Sequence, residues 1–169
     1  MEFTAPYISP LGAMTLASDG ERLTGLWFDR QKHFALMLDA VHKPRPSLPV
    51  FEATRHWLDI YFAGQEPDFT PPFRLKVTPF RAAVCRMLLS IPYGETTTYG
   101  ALAQRFAQEN GLSHFSAQAV AGAVAHNPIS LIIPCHRVVG SDGSLTGYAA
   151  GLGIKERLLQ LEANGIQRI

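Results

Sequence analysis

A chain of 169 residues with 15 basic and 14 acidic side chains is long enough for one large domain or two small ones and is nearly neutral. Its hydrophobic content of 47% is typical of a globular protein, no run of 18 apolar residues predicts a membrane span, and two cysteines are too few for a disulfide scaffold. The charge does not indicate a nucleic-acid binder, although residues 79–169, with seven basic and five acidic side chains, permit phosphate contacts.

The first 64 residues predict a small sheet followed by a helix. Alternating apolar and polar side chains over residues 13–17, a turn signal at residues 19–20 and an apolar run over residues 23–28 predict a β-hairpin. After a stretch broken by prolines, apolar side chains at helical spacing predict a helix from Val50 that ends at Gly64. Nothing in this region suggests chemistry, because its histidines lack partners at metal-ligand spacing and are interpreted as ordinary surface or core residues: His33, His42 and His56.

A proline-rich stretch over residues 65–78 predicts a linker between a domain of residues 1–64 and a domain of residues 79–169. The threonine and proline at the end of the linker are typical of the first positions of a helix, and apolar side chains continue at helical spacing. Cys85 lies among the apolar positions of this helix, where a small buried hydrophobic residue is the plainer interpretation.

Two short helices joined by a turn come next. Thr97 or Thr98 caps a helix that runs through Phe106, and Ser116 caps a second helix that residues 127–128 end. The pair matches a helix-turn-helix, which is a weak signal by itself. The small side chains of the second helix suit either close helix packing or a helix thin enough to lie against a narrow groove.

Residues 131–139 interrupt an apolar run with Cys135, His136 and Arg137. Burial of such groups without a purpose costs on the order of several kcal/mol, so we take the cysteine as the functional centre. A neighbouring imidazole can accept the thiol proton, and a carboxylate can hold the imidazole tautomer. In an extended strand the cysteine and the histidine would point to opposite faces, so a water or a local bend would have to connect them.

The rest of the chain offers the carboxylate. Residues 140–143 predict a hairpin turn, residues 144–148 its returning strand, and residues 151–153 the start of a last helix. Glu162 falls at the edge of the apolar face of that helix, where it either orients a basic group or lies at the rim. Together with the cysteine and the histidine it would form a nucleophile, a base and an orienting group. The thiol could attack an acyl carbon with turnover, or an alkyl carbon to leave a thioether that has no easy route of hydrolysis.

Residues 78–162 resemble the alkylguanine-DNA alkyltransferases, which are suicide DNA-repair proteins. The Pro-Cys-His-Arg-Val core at residues 134–138 is a highly specific signature. The matching motifs around it are Thr78-Pro79-Phe80, Ile91-Pro92-Tyr93-Gly94-Glu95-Thr96, Thr98-Tyr99-Gly100, Asn127-Pro128, Thr146-Gly147-Tyr148-Ala149 and Lys155-Glu156-Arg157-Leu158-Leu159 through Glu162. Residues 1–64 match only loosely, at Ser9-Pro10-Leu11-Gly12.

The resemblance implies an α+β fold, in which a ribonuclease-H-like N-terminal α/β domain precedes a C-terminal winged-helix domain. It implies that the helix-turn-helix enters the minor groove of double-stranded DNA and that the lesion base is flipped into a pocket. The substrate would be O6-alkylguanine, and less so O4-alkylthymine, and the alkyl group would pass irreversibly to Cys135. We expect no cofactor, no metal and no membrane contact, and we expect the protein to be a monomer. We place it in the cytoplasm, because free thiols suit a reducing compartment and residues 1–4 do not begin a secretory signal.

The resemblance also assigns the site. The catalytic candidates are Cys135, His136, Glu162, Asn127 and Tyr99. The histidine, held by the glutamate, would deprotonate the thiol through a water; the tyrosine would protonate the leaving base at N3 and rotate the phosphate; the asparagine would brace the site. The candidates for substrate or DNA binding are Ser116, Gln118, Ala119, Gly122, Tyr148 and Arg137. Of these, the tyrosine would pack on the base and the arginine would be structural.

The second helix departs from the family pattern at one position. The family usually has an arginine that fills the gap left by the flipped base, and alignment on Ala119 and Asn127 places Gln118 there. Glutamine can hydrogen-bond the orphaned partner base, but it lacks the cation and most of the stacking plane. We expect weaker retention of the flipped base, with unchanged chemistry at the thiol.

Three other functions remain open. One is a lesion sensor that binds alkylated DNA without repairing it, although relatives of that kind replace the reactive cysteine. Another is a cysteine hydrolase for small substrates, which would leave the helix-turn-helix unused and would differ from an alkyltransferase by turning over. The third is a transcription regulator, for which residues 1–64 show no separate motif.

Overall fold

A computed structural model describes residues 1–35 and 37–167, except for the side chains of residues 166 and 167. Four strands form a sheet in the order β3-β2-β1-β4, in which only the β1–β4 pair is parallel. The strands are β1 (Glu2–Ser9), β2 (Gly12–Ser18), β3 (Leu23–Phe28) and β4 (His42–Pro44). The helix α1 (Pro49–Phe62) packs against β1, β2 and β3.

The predicted hairpin and the predicted N-terminal helix are confirmed. The helix begins one residue before Val50, at a proline whose missing N–H is not needed in the first turn, and Gly64 follows its end with a φ of 84°. The pattern did not identify β4, because three residues carry no measurable alternation. Pro44 lies on this outer strand, where the sheet tolerates a residue without an N–H.

The second half of the chain is mostly helical, as predicted. Its helices are α2 (Pro79–Leu89), α3 (Tyr99–Glu109), α4 (Ala117–Ala125) and α5 (Leu152–Gln167). The side chains of Thr78, Thr98 and Ser116 accept backbone N–H bonds of 3.0–3.3 Å at the starts of the first three. The predicted caps are thus confirmed, with Thr98 rather than Thr97 in front of α3. The helices α3 and α4 pack together in the order expected of a helix-turn-helix.

The predicted hairpin over residues 140–148 is only half present. Gly143 N–H donates to Gly140 O at 2.8 Å and closes the turn, but residues 144–148 form no strand. Instead β6 (Val138–Val139) pairs in parallel with β5 (Thr97–Thr98), the residues in front of α3. A strand from another part of the chain therefore takes the place that the local pattern assigned to the returning strand. No helix in the described part of the chain is long and apolar enough to cross a bilayer.

The strand β3 contacts two later segments of the chain. Leu23 N–H donates to Pro72 O at 2.8 Å, within a stretch over residues 65–78 that has no helix or strand of its own. Leu26 N–H donates to Pro128 O, and Ser130 N–H donates back to Leu26 O, both at 2.9 Å. The segment that leads to Cys135 is therefore fixed to the N-terminal sheet by backbone hydrogen bonds.

Candidate functional site

Cys135 lies on a single 3₁₀ turn, Cys135–Arg137, and not on a strand. Arg137 N–H donates to Pro134 O at 3.0 Å to close the turn, and Leu131 in front of it has a φ of 70°. Of the two arrangements that the sequence left open, an extended strand and a local bend, the structure has the bend. In this bend Cys135 lines a cavity, whereas His136 and Arg137 are buried against α5.

Asn127 ties this loop together from the end of α4. Its Nδ2 donates to Ile133 O at 2.8 Å and to Ile129 O at 3.3 Å, and its Oδ1 accepts the N–H of Ile129 at 3.0 Å. The side chain is buried, and its hydrogen bond to the sulfur favours the thiolate form of Cys135. One amide therefore contacts both the backbone that shapes the turn and the sulfur that the turn presents.

Glu162 is fully buried at the centre of a polar cluster. Its Oε2 lies 2.5 Å from Nε2 of His136 and accepts the hydroxyl of Tyr61 at 2.6 Å. Its Oε1 accepts Nε of Arg137 at 2.8 Å and the backbone N–H of Gly94 at 3.0 Å. Burial opposes ionisation, but the hydrogen bond of His136 and the charge and hydrogen bond of Arg137 outweigh it, and the pKa of Glu162 is lowered to about 2. The carboxylate orients basic groups, and the alternative rim position is excluded.

His136 is held as a neutral base. Burial lowers the pKa of its imidazole, against the opposing hydrogen bond and charge of Glu162. In the neutral ring Nε2–H donates to the carboxylate, so the lone pair is on Nδ1. Nδ1 is buried, and no hydrogen-bond partner is found for it among the described residues. The free lone pair is the one group of this ring that can take up a proton.

The thiol of Cys135 is 7% exposed, and burial raises its pKa, whereas Asn127 and the charge of Lys155 act in the opposite direction. Lys155 is buried, and its Nζ donates to Val138 O at 2.6 Å, Thr146 O at 3.0 Å and Gly147 O at 3.3 Å. No role was expected for Lys155 from the sequence beyond its place in the matching motif. Its spacing from Glu162 along α5, seven residues, places both on one helical face and could have indicated it.

The second thiol has no comparable setting. Cys85 is buried in α2, and burial raises its pKa to about 12, with a smaller contribution from the charge of Cys135. A thiol held protonated in an apolar helix face is inert. Its position agrees with the interpretation as a small core residue.

A cavity of about 740 Å³ opens beside Cys135. Two tyrosines line it: Tyr99, whose hydroxyl donates to Thr146 O at 3.0 Å, and Tyr148, whose hydroxyl is buried without a hydrogen-bond partner among the described residues. The part of the wall that α4 contributes consists of small apolar side chains: Ala121, Val124 and Ala125. A cavity of this size, with a nucleophile beside apolar walls and a few convergent polar groups, is typical of a site that binds a small organic group.

The candidate DNA-binding residues of α4 lie outside this cavity on the surface. Gln118, Ala119 and Gly122 are exposed, and exposed Ser116 caps the helix, where its Oγ accepts the N–H of Ala119 at 3.1 Å. Arg137 is a correction to the set. It is buried, its Nε is paired with Glu162 and its Nη1 donates to Ile91 O at 2.7 Å, so it does not belong among groups that bind substrate or DNA. Its contacts fit the structural role that the resemblance gave it.

The N-terminal half contributes side chains to the site, although no pattern in residues 1–64 indicated this. Gln31, Lys32 and His33 line the cavity, and Tyr61 of α1 bonds to Glu162. The ring of His33 contacts that of His126, with centroids 4.0 Å apart and the planes tilted by 31°. No local signal marks these residues, because contacts between distant segments bring them to the site.

Comparison with known proteins agrees with this arrangement. Residues 4–75 match the family model described as 6-O-methylguanine DNA methyltransferase, ribonuclease-like domain, and residues 79–164 match the model described as 6-O-methylguanine DNA methyltransferase, DNA binding domain. The methylated-DNA–protein-cysteine methyltransferase of Haemophilus influenzae is 41% identical over 157 residues, which cover 92% of this chain and 83% of that protein. The protein of that name from Mycobacterium tuberculosis is 39% identical over 159 residues, which cover 91% of this chain and 88% of the relative.

The fold is also similar to a solved structure. The crystal structure of Mycobacterium tuberculosis OGT in complex with DNA has a TM-score of 0.84 and 38% identity to this chain. The similarity covers 96% of this chain and 94% of the solved one. The similarity therefore extends over both the N-terminal sheet and the helical half that carries Cys135.

Proposed function

Because the chain belongs to the 6-O-methylguanine DNA methyltransferase family, with its ribonuclease-like domain followed by its DNA-binding domain, we propose that Cys135 is the residue that accepts the alkyl group. The protein is a DNA-repair methyltransferase that transfers an alkyl group from methylated DNA to a cysteine of its own, and each chain acts once. The observation that supports Cys135 is its position: this thiol lines the cavity, and the residue that follows it on the same turn is a buried imidazole paired with a buried carboxylate. The preferred substrate is O6-alkylguanine, with O4-alkylthymine a poorer one.

The proton leaves the thiol through the buried base. A water carries it from Sγ of Cys135 to Nδ1 of His136, and Glu162 stabilises the imidazolium through Nε2–H. The positive charge of Lys155 favours the thiolate that remains. The sulfur attacks the alkyl carbon, an S–C bond forms, and the C–O bond to the guanine breaks with its electron pair going to the base. Tyr99 donates a proton at N3 and neutralises the leaving guanine, and Tyr148 packs on the base.

The DNA interface is assigned to the helix-turn-helix. The exposed face of α4 has Ala119 and Gly122 beside Gln118, so its backbone can come close to a groove wall. We assign this face to the minor groove of the duplex and Gln118 to the gap that the flipped base leaves. The capping Ser116 lies at the end of α4 that would approach the phosphates.

The finer domain assignment belongs to the same proposal. Residues 79–169 form a winged-helix domain, of which residues 168 and 169 lie outside the described residues, and residues 1–64 form a ribonuclease-H-like domain joined to it by residues 65–78. The protein works as a monomer in the cytoplasm. Support for the last assignment is the chemistry of Cys135, since a thiol that must stay free needs a reducing compartment.

Labelled DNA tests the transfer and separates the alternatives. A duplex with a radiolabelled methyl group on O6 of one guanine, added in excess, is expected to label the protein to one equivalent per chain and then stop. Release of more than one equivalent into solution would identify a hydrolase. Tight lesion-selective binding without labelling would identify a sensor.

The departure at Gln118 gives a prediction for binding. The Gln118→Arg variant is expected to bind a duplex with O6-methylguanine roughly 3- to 10-fold more tightly, since a guanidinium adds a cation and a stacking plane beside the orphaned base. The measurement is fluorescence anisotropy in a Cys135→Ser background, where no transfer depletes the lesion. Gln160→Arg, an exposed change on α5, adds the same charge elsewhere and serves as the control. Equal affinities for the two variants would refute the assigned role of position 118.

A further inference from the structure

Gln31 places a polar side chain from the N-terminal half in the wall of the Cys135 cavity. The glutamine is 7% exposed and lines the cavity together with Ser130, which is 3% exposed. Its Oε1 accepts the backbone N–H of Phe28 at 2.9 Å and the hydroxyl of Ser130 at 3.5 Å. Among the described residues, Nε2 makes one long bond, to Lys32 O at 3.4 Å. The mechanism described above does not use this amide.

The backbone around Gln31 is anchored on two sides of the cavity. The preceding strand β3 exchanges hydrogen bonds with residues 128–130, and Lys32 N–H donates to Ala149 O at 2.9 Å. Gln31 N–H closes a turn on Phe28 O at 3.2 Å. The side chain therefore projects from a short segment fixed at both ends, so that little ordering is needed when a ligand enters.

The hydrogen bonds also fix which way the amide points. The N–H of Phe28 requires an acceptor, so the oxygen occupies that side and the NH₂ group the other. The NH₂ group has two hydrogens, and a single long bond accounts for one of them. The amide of Gln31 is thus a pre-oriented donor with an unused hydrogen in a wall that also includes Cys135.

A donor in this position matches an O6-alkylated purine better than guanine itself. Alkylation of O6 removes the hydrogen from N1, so N1 becomes an acceptor, whereas N7 is an acceptor in both bases. Guanine itself has a donor at N1. A buried donor that meets an acceptor gains a hydrogen bond, whereas one that meets another donor is left unpaired at a cost.

We propose that Gln31 is a specificity-determining residue of the alkyl transfer, in which its Nε2–H donates to N1 of the flipped O6-alkylpurine. The proposal rests on the function assigned above to Cys135. It deepens that function by giving the N-terminal half a part in reading the base. Ser130 has a supporting role, because its hydroxyl contributes to holding Oε1 away from the base.

Base analogues that lack one ring nitrogen test the proposal. Single-turnover rate constants are measured at subsaturating protein for duplexes that contain O6-methylguanine, its 1-deaza analogue or its 7-deaza analogue. The rate constant of the wild-type protein is expected to be about tenfold lower on the 1-deaza analogue than on the parent base, which is the contribution of one hydrogen bond, and unchanged on the 7-deaza analogue. A loss confined to the 7-deaza analogue would overturn the proposal. The Gln31→Glu variant keeps an oxygen for Phe28 N–H but has no donor. Its rate constant on the parent base is therefore expected to be about tenfold below that of the wild type, whereas its rate constant on the 1-deaza analogue should equal that of the wild type.

The comparison of ratios separates recognition from folding. A change that merely loosened the loop would slow all three substrates alike and leave the parent-to-analogue ratios at their wild-type values. The exposed change Gln65→Glu is the control and should keep the wild-type ratios. Ratios for Gln31→Glu equal to those of the wild type with both analogues would overturn the proposal. A wild-type protein that transfers nothing from the parent base would instead overturn the function assigned to Cys135.

Discussion

The Cys135→Ser variant is expected to bind duplex DNA containing O6-methylguanine and to transfer its alkyl group at least about 10³-fold more slowly than the wild type. A serine hydroxyl has the size of the thiol and can keep the hydrogen bond of Asn127, so the cavity and the turn are preserved. At neutral pH the hydroxyl is neither ionised nor comparably nucleophilic. The measurement combines a single-turnover transfer assay with the affinity of the same variant for the lesion duplex.

The second cysteine provides the control. Cys85→Ala removes a thiol that burial keeps protonated in α2, and it is expected to transfer at the wild-type rate. Loss of transfer in Cys85→Ala together with retention in Cys135→Ser would reverse the assignment of the nucleophile. Loss of lesion binding in Cys135→Ser at unchanged stability would show that the thiol serves recognition rather than chemistry.

The Glu162→Ala variant is expected to lose about 3–5 kcal/mol of unfolding free energy as well as nearly all transfer activity. The carboxylate neutralises the buried Arg137, holds the tautomer of His136 and accepts bonds from Tyr61 and Gly94. Its removal leaves a buried guanidinium without a counter-charge. Urea unfolding at pH 7 measures the loss. Glu156→Ala, an exposed change on the same helix, is expected to stay within about 0.5 kcal/mol of the wild type.

The dependence of stability on acid pH gives an independent measure of the ionisation of Glu162. The pKa of Glu162 falls from 4.5 to about 2 on folding, so its contribution to stability is complete above the unfolded value and is lost as the pH falls through the folded one. The wild type is therefore expected to lose stability between pH 4.5 and pH 2, and Glu162→Gln to show a shallower loss over this window. Parallel curves for the two proteins would contradict the ionised state of the buried glutamate.

Features that depend on neighbouring residues were predictable from the sequence. The capping threonine and serine residues directly precede α2, α3 and α4. Each caps its helix by accepting a hydrogen bond from the backbone N–H three residues later in the chain. The local spacing of α5 left the role of Glu162 undecided, because a helical pattern gives the face of a residue but not its partner. The partners, His136 and Tyr61, come from 26 and 101 residues away.

Features that depend on distant contacts were not predictable. In the sequence, Tyr61 is one of several apolar residues of α1, and its bond to Glu162 becomes visible only in the folded chain. Gln31 follows β3 with no motif around it, and it lies at the site because β3 pairs with residues 128–130. The conformation at Cys135 was left open between an extended strand and a local bend, because an apolar run on both sides does not distinguish them. In the structure a 3₁₀ turn interrupts the apolar run, and the side chain of Asn127 holds the loop through three hydrogen bonds to backbone groups.

The most direct test of the central claim is the intact mass of the wild-type protein after reaction with excess duplex that contains one O6-methylguanine, followed by peptide mapping. The account predicts a gain of a single methylene group per chain, located on the peptide that contains Cys135, together with recovery of an unmodified guanine in the DNA. A gain located on Cys85, a gain of more than one methylene group, or lesion-selective binding with no change in mass would contradict it.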